Sequence, residues 1–172
     1  MGRDKARLPF RGTSLAEFVA QTVASAAGSA VLVGDSGRYP DFPYPVIPDL
    51  YPGEGPLGGI LTALKHTAAD WNLVVACDMP GLSADFLRQL LDAAEHSSAG
   101  ALVPAGPSGR PEPLCAVYHR GSLAVLEAAF RAGERKVTAA LTGLPAEILK
   151  VAEVTVFQNV NTPADWAGYV AE

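Results

Sequence analysis

The stretch NLVVACDMP, residues 72–80, reads as a buried strand over 72–77 that runs straight into an aspartate. A carboxylate leaving an apolar strand cannot continue into a core, and Pro80 turns the chain aside, so Asp78 is held at the carboxyl edge of a sheet. There it is well placed to hold a hard cation such as Mg²⁺. The plainer role, a cap for the following helix, is already taken by Ser83. Outward from this strand, short apolar runs alternate with amphipathic ones. Upstream, Ser14 caps a helix whose Leu15, Phe18, Val19 and Val23 share one face, AVLV (30–33) reads as a buried strand, PVI (45–47) as a brief strand in a proline-rich passage, and 57–69 as helix. Downstream, a helix runs from Ser83 to about His96, GALVP (100–104) and PLCAVY (113–118) are strands around the loop AGPSGRPEP, and helices follow over 122–132 and 137–142. A strand pair around 147–157 and a last helix capped by Thr162, with Pro163 at its first position, complete the chain. The pattern predicts one α/β domain over residues 1–172, a three-layer sandwich on a mostly parallel, Rossmann-like sheet that binds ligands beyond its strand ends.

Composition narrows the function. A chain of 172 residues, 49% hydrophobic, buries one substantial core. A net charge of −5 gives no general positive field for nucleic acid or an anionic membrane, so any basic residues that matter act locally. The longest apolar runs are far shorter than a membrane span and the N-terminus lacks the order of a signal peptide, which predicts a cytoplasmic protein. Cys77 and Cys115 have neither Cys-x-x-Cys spacing nor clustered histidines, and read as buried free thiols. His66, His96 and His119 read as surface residues.

Three further segments carry chemistry. Asp49 follows the PVI strand as Asp78 follows its own, although an aspartate between Pro48 and Pro52 also suits a simple turn. In GEGPLGG (53–59), glycines at a helix start let a flat base or sugar approach the main chain closely. Gly53, Gly55 and Gly58 also fit the G-x-G-x-x-G fingerprint of NAD-type folds, with Asp78 near the expected ribose-binding acid. Against that competing reading, residues 48–52 separate the glycines from their strand, and Pro56 removes an amide hydrogen from the turn. In FQNVNTPAD, Asn159 and Asn161 project to one side of an extended stretch and can meet one polar ligand or the waters of a bound metal; Asn161 also suits the turn before Thr162.

MGRDKARL, Asp49 with LYPGEGPLGGI, VVACDMP, EPLCAVY, AGERKV and FQNVNTPADW stand together in the order and spacing of the molybdenum cofactor guanylyltransferases, which the chain resembles from end to end. The resemblance implies a nucleotidyltransferase fold, GTP and molybdopterin as substrates, Mg²⁺ as cofactor, and contacts with a molybdoenzyme or chaperone. It implies that Lys5 contacts the triphosphate, that Asp49 helps hold the nucleotide, and that Asp78 binds nucleotide and Mg²⁺. Gly55, Pro56, Leu57, Gly58 and Gly59 would line the base and ribose pocket, and Asn159 and Asn161 would sit on the metal and pterin side. Arg3, Arg7, Arg110 and Arg135 are helpers for the anionic pterin or leaving pyrophosphate, or ordinary surface cations. The family begins with a strand and a glycine loop ahead of its Met-Gly-x-Asp-Lys element. Met1 is therefore expected to be internal, with about 15–20 residues before it, and the sheet to show an unfilled slot between two strands. A non-catalytic truncated relative and a cytidylyltransferase of the same superfamily stay open beside the guanylyltransferase.

Overall fold

The computed structural model describes residues 5–152 and 155–157. A tight turn, Lys5–Arg7, leads into a small hairpin of β1 (Pro9–Phe10) and β2 (Thr13–Ser14). Helix α1 (Leu15–Ala27) starts where Ser14 and Glu17 satisfy each other's free amides: the Ser14 hydroxyl accepts from Glu17 N at 3.3 Å and the Glu17 carboxylate from Ser14 N at 2.9 Å. It stops at Gly28, whose left-handed φ of 78° suits a residue without a β-carbon. Next come β3 (Leu32–Val33), β4 (Val46–Ile47), α2 (Pro56–His66), β5 (Trp71–Val75) and α3 (Ala84–Glu95), the last capped as expected by Ser83, whose hydroxyl accepts from Phe86 N at 3.2 Å. The chain continues through β6 (Ala101–Ala105), β7 (Cys115–His119), α4 (Leu123–Arg131), the single turn α5 (Val137–Ala140) and β8 (Ala146–Lys150).

The main sheet has the order β5-β7-β6-β8. Its arrangement corrects the mostly parallel expectation: β7 runs antiparallel to both β5 and β6, while β6 and β8 are parallel, as are β3 and β4 in a separate two-stranded piece. Side-chain alternation then sorts the core into two layers. Ala101, Val103, Ala116 and Tyr118 face α2, α4 and α5, whereas Leu102, Cys115 and Val117 face α3. Both faces of β6 and β7 are thus covered by helices, which gives the three-layer sandwich. The expected strand pair near the end is a correction too: β8 is one strand, and Thr155–Phe157 form a tight turn whose Phe157 meets Phe86 edge to face at 5.7 Å. The helix expected after Thr162 lies outside the described residues.

AVLV does not form a buried strand. Only Leu32 and Val33 pair, and Val31 is 43% exposed. The reason is an apolar groove between β3 and β5, floored by Ala16, Val19 and Val23 of α1 and walled by Leu32 on one side and Leu73 and Val75 on the other. β5 ends the main sheet here, β3 ends the small one, and among the described residues no strand pairs with either on this side. Unpaired strand edges facing each other across apolar side chains form a seat for one more strand. We propose that this groove can seat one more strand. Joining a strand-length apolar segment ahead of Met1 through a short glycine turn is expected to raise the Tm, at about 2–4 °C for each kcal/mol gained by a domain of this size. An unchanged Tm would show that the groove is no strand seat.

Candidate active site

Asp78 stands just past β5. The ladder with β7 extends one bond beyond the strand, from Ala76 N to Leu114 O at 2.7 Å, and the chain then turns at Cys77 and Asp78. Met79 is 1% exposed and anchors that turn in the core, leaving Asp78 half-buried. Lys5 arrives from the other direction. Its turn is pinned by buried Ala6 and by Leu8 N donating to Lys5 O at 3.1 Å, and its Nζ lies 3.8 Å from Asp78 Oδ2. Two residues 73 positions apart, singled out in the sequence for phosphate and metal contacts, are thus brought together with both side chains partly solvent-exposed. The separation exceeds a direct hydrogen bond, so the pair presents a cation and an anion side by side.

Asp49 belongs to a second cluster. Its Oδ1 accepts from Tyr51 N at 2.9 Å and from the Thr62 hydroxyl at 3.0 Å, and that hydroxyl oxygen accepts from Leu50 N at 3.1 Å. Thr62 is 2% exposed, so the Asp49 carboxylate fastens the loop start to the buried side of α2. Within the loop, Gly53 and Gly55 hold φ of 80° and 82°, a region strained for other residues, and Gly55 is the N-cap of α2 with Pro56 following. Leu57 is fully buried and can offer a ligand only its backbone. At Gly58 a β-carbon would come 2.8 Å from Tyr51 Cβ, so this glycine admits a neighbouring side chain. At Gly59, as at Gly53, a β-carbon would meet nothing within 4 Å, so both glycines leave room for a ligand's approach. Eight residues, 48–55, separate β4 from α2, and so long a connection departs from the direct strand-to-helix turn of NAD-type folds.

Since β5 and β6 both run antiparallel to β7, they run parallel to each other, and the loop 106–114 leaves the sheet at the edge where Asp78 stands. That loop carries Arg110 and Glu112. Burial raises the Glu112 carboxyl above its ordinary range, and Arg110 opposes the shift. Burial, assisted by the Glu112 charge, pushes the Cys115 thiol up to about 12, so Cys115 is an inert core thiol, while Cys77 is half-buried and also free of any disulfide. His66 and His96 are exposed, and half-buried His119 packs edge-on against Trp71 at 4.9 Å. Arg135 bonds to Glu54 at 2.6 Å. Arg3, Asn159 and Asn161 lie outside the described residues. Among the described residues, no three His, Cys, Asp or Glu side chains gather to hold a metal, and no helix is long and apolar enough to cross a membrane. A Mg²⁺ ion nonetheless fits the Asp78 site in kind, since that ion takes one or two carboxylates and completes its shell with waters and substrate phosphates.

A layered α/β sandwich with a lysine and an aspartate side by side beyond a strand end is matched over residues 1–147 by the model of the MobA-like NTP transferase domain, and this defines a nucleotidyltransferase. The chain belongs to the MobA-like NTP transferase domain family. It is 36% identical over 176 residues to a probable molybdenum cofactor guanylyltransferase of Deinococcus radiodurans, spanning 96% of this chain and 85% of the relative. A second protein of that description, from Flavobacterium johnsoniae, is 30% identical over 161 residues, 94% of this chain and 84% of the relative. The crystal structure of molybdopterin-guanine dinucleotide biosynthesis protein A from Archaeoglobus fulgidus superposes with a TM-score of 0.82 at 29% identity, covering 98% of this chain and 89% of that one.

Two substitutions test the glycine loop. Thr62→Val is expected to cost about 1–3 kcal/mol by leaving Asp49 and Leu50 N short of a partner, measured by denaturant unfolding. Gly58→Ala is expected to cost a similar amount, about 1–3 kcal/mol, by driving a methyl group into Tyr51.

Proposed function

We propose that this protein, as a single nucleotidyltransferase domain, transfers GMP from GTP to the phosphate of molybdenum-bound molybdopterin, releasing pyrophosphate. The observation that carries the reading is the Lys5–Asp78 pair at the end of β5; the names of the Deinococcus and Flavobacterium relatives supply the substrates. A phosphate oxygen attacking an α-phosphate brings two anions together, so the site must position them and offset their charge more than it must move protons. Lys5 directs its ammonium at the triphosphate. Asp78 would hold Mg²⁺, which would supply positive charge to the phosphates. Asp49 acts through structure, fixing the start of the loop that ends in Gly55, and the backbone from Gly55 to Gly59 receives the base and ribose. Asn159 and Asn161 are assigned to the metal and pterin side. Arg7, in the same turn as Lys5, and Arg110, carried to the Asp78 edge by the loop 106–114, are assigned to the leaving pyrophosphate or the pterin phosphate.

Asp78→Asn is expected to lower GMP transfer by about 10²–10³-fold, the scale on which one electrostatic group acts, with the Tm unchanged. Turnover near the parent rate would remove the metal role from Asp78. Lys5→Ala is expected to weaken GTP binding far more than guanosine binding, because the lost interaction is with phosphate charge. Equal losses would mean a collapsed turn, and preference for CTP in the parent protein would move the reading to a cytidylyltransferase.

A further inference from the structure

The loop 50–55 presents a physical problem. It carries two left-handed glycines and leads directly into the turn to which the proposed function assigns the base and ribose. Glycine-rich backbone has the most conformational freedom to lose, so a loop of this kind binds well only when something else has already ordered it. Its first residues are held by Asp49 and Thr62. Its middle is held by Tyr51, whose ring packs 4.7 Å from Phe130 and whose hydroxyl accepts from Lys65 Nζ at 2.6 Å. At the glycine end the tie is Glu54, which accepts from Arg135 Nε at 2.6 Å.

Arg135 is built to be a fixed point. One of its terminal nitrogens donates to the carbonyl oxygens of Phe130 at 2.8 Å and Glu134 at 3.0 Å, and its guanidinium lies 4.0 Å above the Phe130 ring. Phe130 is 8% exposed, so both Tyr51 and Arg135 rest on the same buried ring. An exposed ion pair alone contributes little, because two long side chains must be ordered to form it. Here the arginine is ordered by three contacts that do not involve Glu54, so the added bond spends its strength on the loop.

We infer that Arg135 is a positioning residue for nucleotide binding: through Glu54 it holds the loop before Gly55 in its binding conformation, and it does not itself contact the reacting phosphates. The inference rests on the guanylyltransferase reading for its substrate, and on geometry alone for the ordering of the loop. An interaction equally present in ground and transition states changes KM and leaves kcat alone. Arg135→Ala is therefore expected to raise KM for GTP about tenfold with kcat within about twofold. Arg135→Lys, which keeps a charge for Glu54 but loses the planar fork and its stacking, should fall between the two. Glu54→Ala combined with Arg135→Ala should be no worse than the poorer single variant, since both cut the same tie.

Amide hydrogen exchange without any nucleotide provides a readout independent of the reaction. Arg135→Ala should speed exchange over residues 51–58 while α3 and β7 keep their protection. A loss of kcat with KM unchanged, additive effects of the two substitutions, or unaltered exchange over 51–58 would each overturn the inference. A parent protein that binds no GTP while Arg135→Ala still loosens 51–58 would overturn the guanylyltransferase reading and leave the ordering role standing.

Discussion

The hydrogen-bond ladders on the two sides of β7 are the constraint from which the site follows. Cys115, Ala116, Val117 and Tyr118 are fully buried, so their backbone groups must find partners within the protein, and β5 and β6 supply them. The register Val75 to Cys115, continued by Ala76 and Leu114, sets where β5 runs out and where Asp78 emerges. The same strand direction brings the loop 106–114 to that edge. A sheet with every strand parallel would have sent the connection between β6 and β7 across a helix layer instead of returning it directly at that edge.

Charge is handled locally throughout. Lys65 and Arg131 share Glu127, Arg88 meets Asp85, Arg120 faces Asp70 and Arg135 holds Glu54. Lys65 and Glu127 hold each other charged, the lysine above its ordinary range and the carboxyl below it, chiefly through the hydrogen bond between them. For a chain of net charge −5, this arrangement means that attraction for an anion arises only at close range.

Much of the fold was legible because the signals are local. Ser14 and Ser83 announce their helices by a side-chain oxygen within reach of free amides, and Asp78 announces a strand end because a carboxylate cannot follow an apolar run inward. The direction of β7 was not legible: a strand buried on both faces shows the same unbroken apolar run whether its neighbours are parallel or antiparallel. Nor was the strand character of AVLV or the end of β8, since each depends on what lies across the sheet. In the site, the Lys5–Asp78 and Glu54–Arg135 pairs join residues 73 and 81 positions apart, and no spacing rule links such residues before the chain is folded. The part played by Asp49 was half visible. Its position after a strand suggested a ligand-facing carboxylate, yet what engages it is Thr62, a hydroxyl hidden in the middle of α2.

The loop 106–114 has a consequence for how such enzymes diversify. Its return is clamped by Glu112 N bonding to Pro104 O and by the bridge from Ala105 to Pro111, while residues 107–110 are exposed and turn at Gly109 with a φ of 74°. The clamp isolates the tip mechanically from the strands, so residues can be inserted or exchanged there without disturbing the register that fixes Asp78. Changes in the length or charge of this tip can therefore alter the surface beside Asp78, and the sheet beneath need not change to allow it.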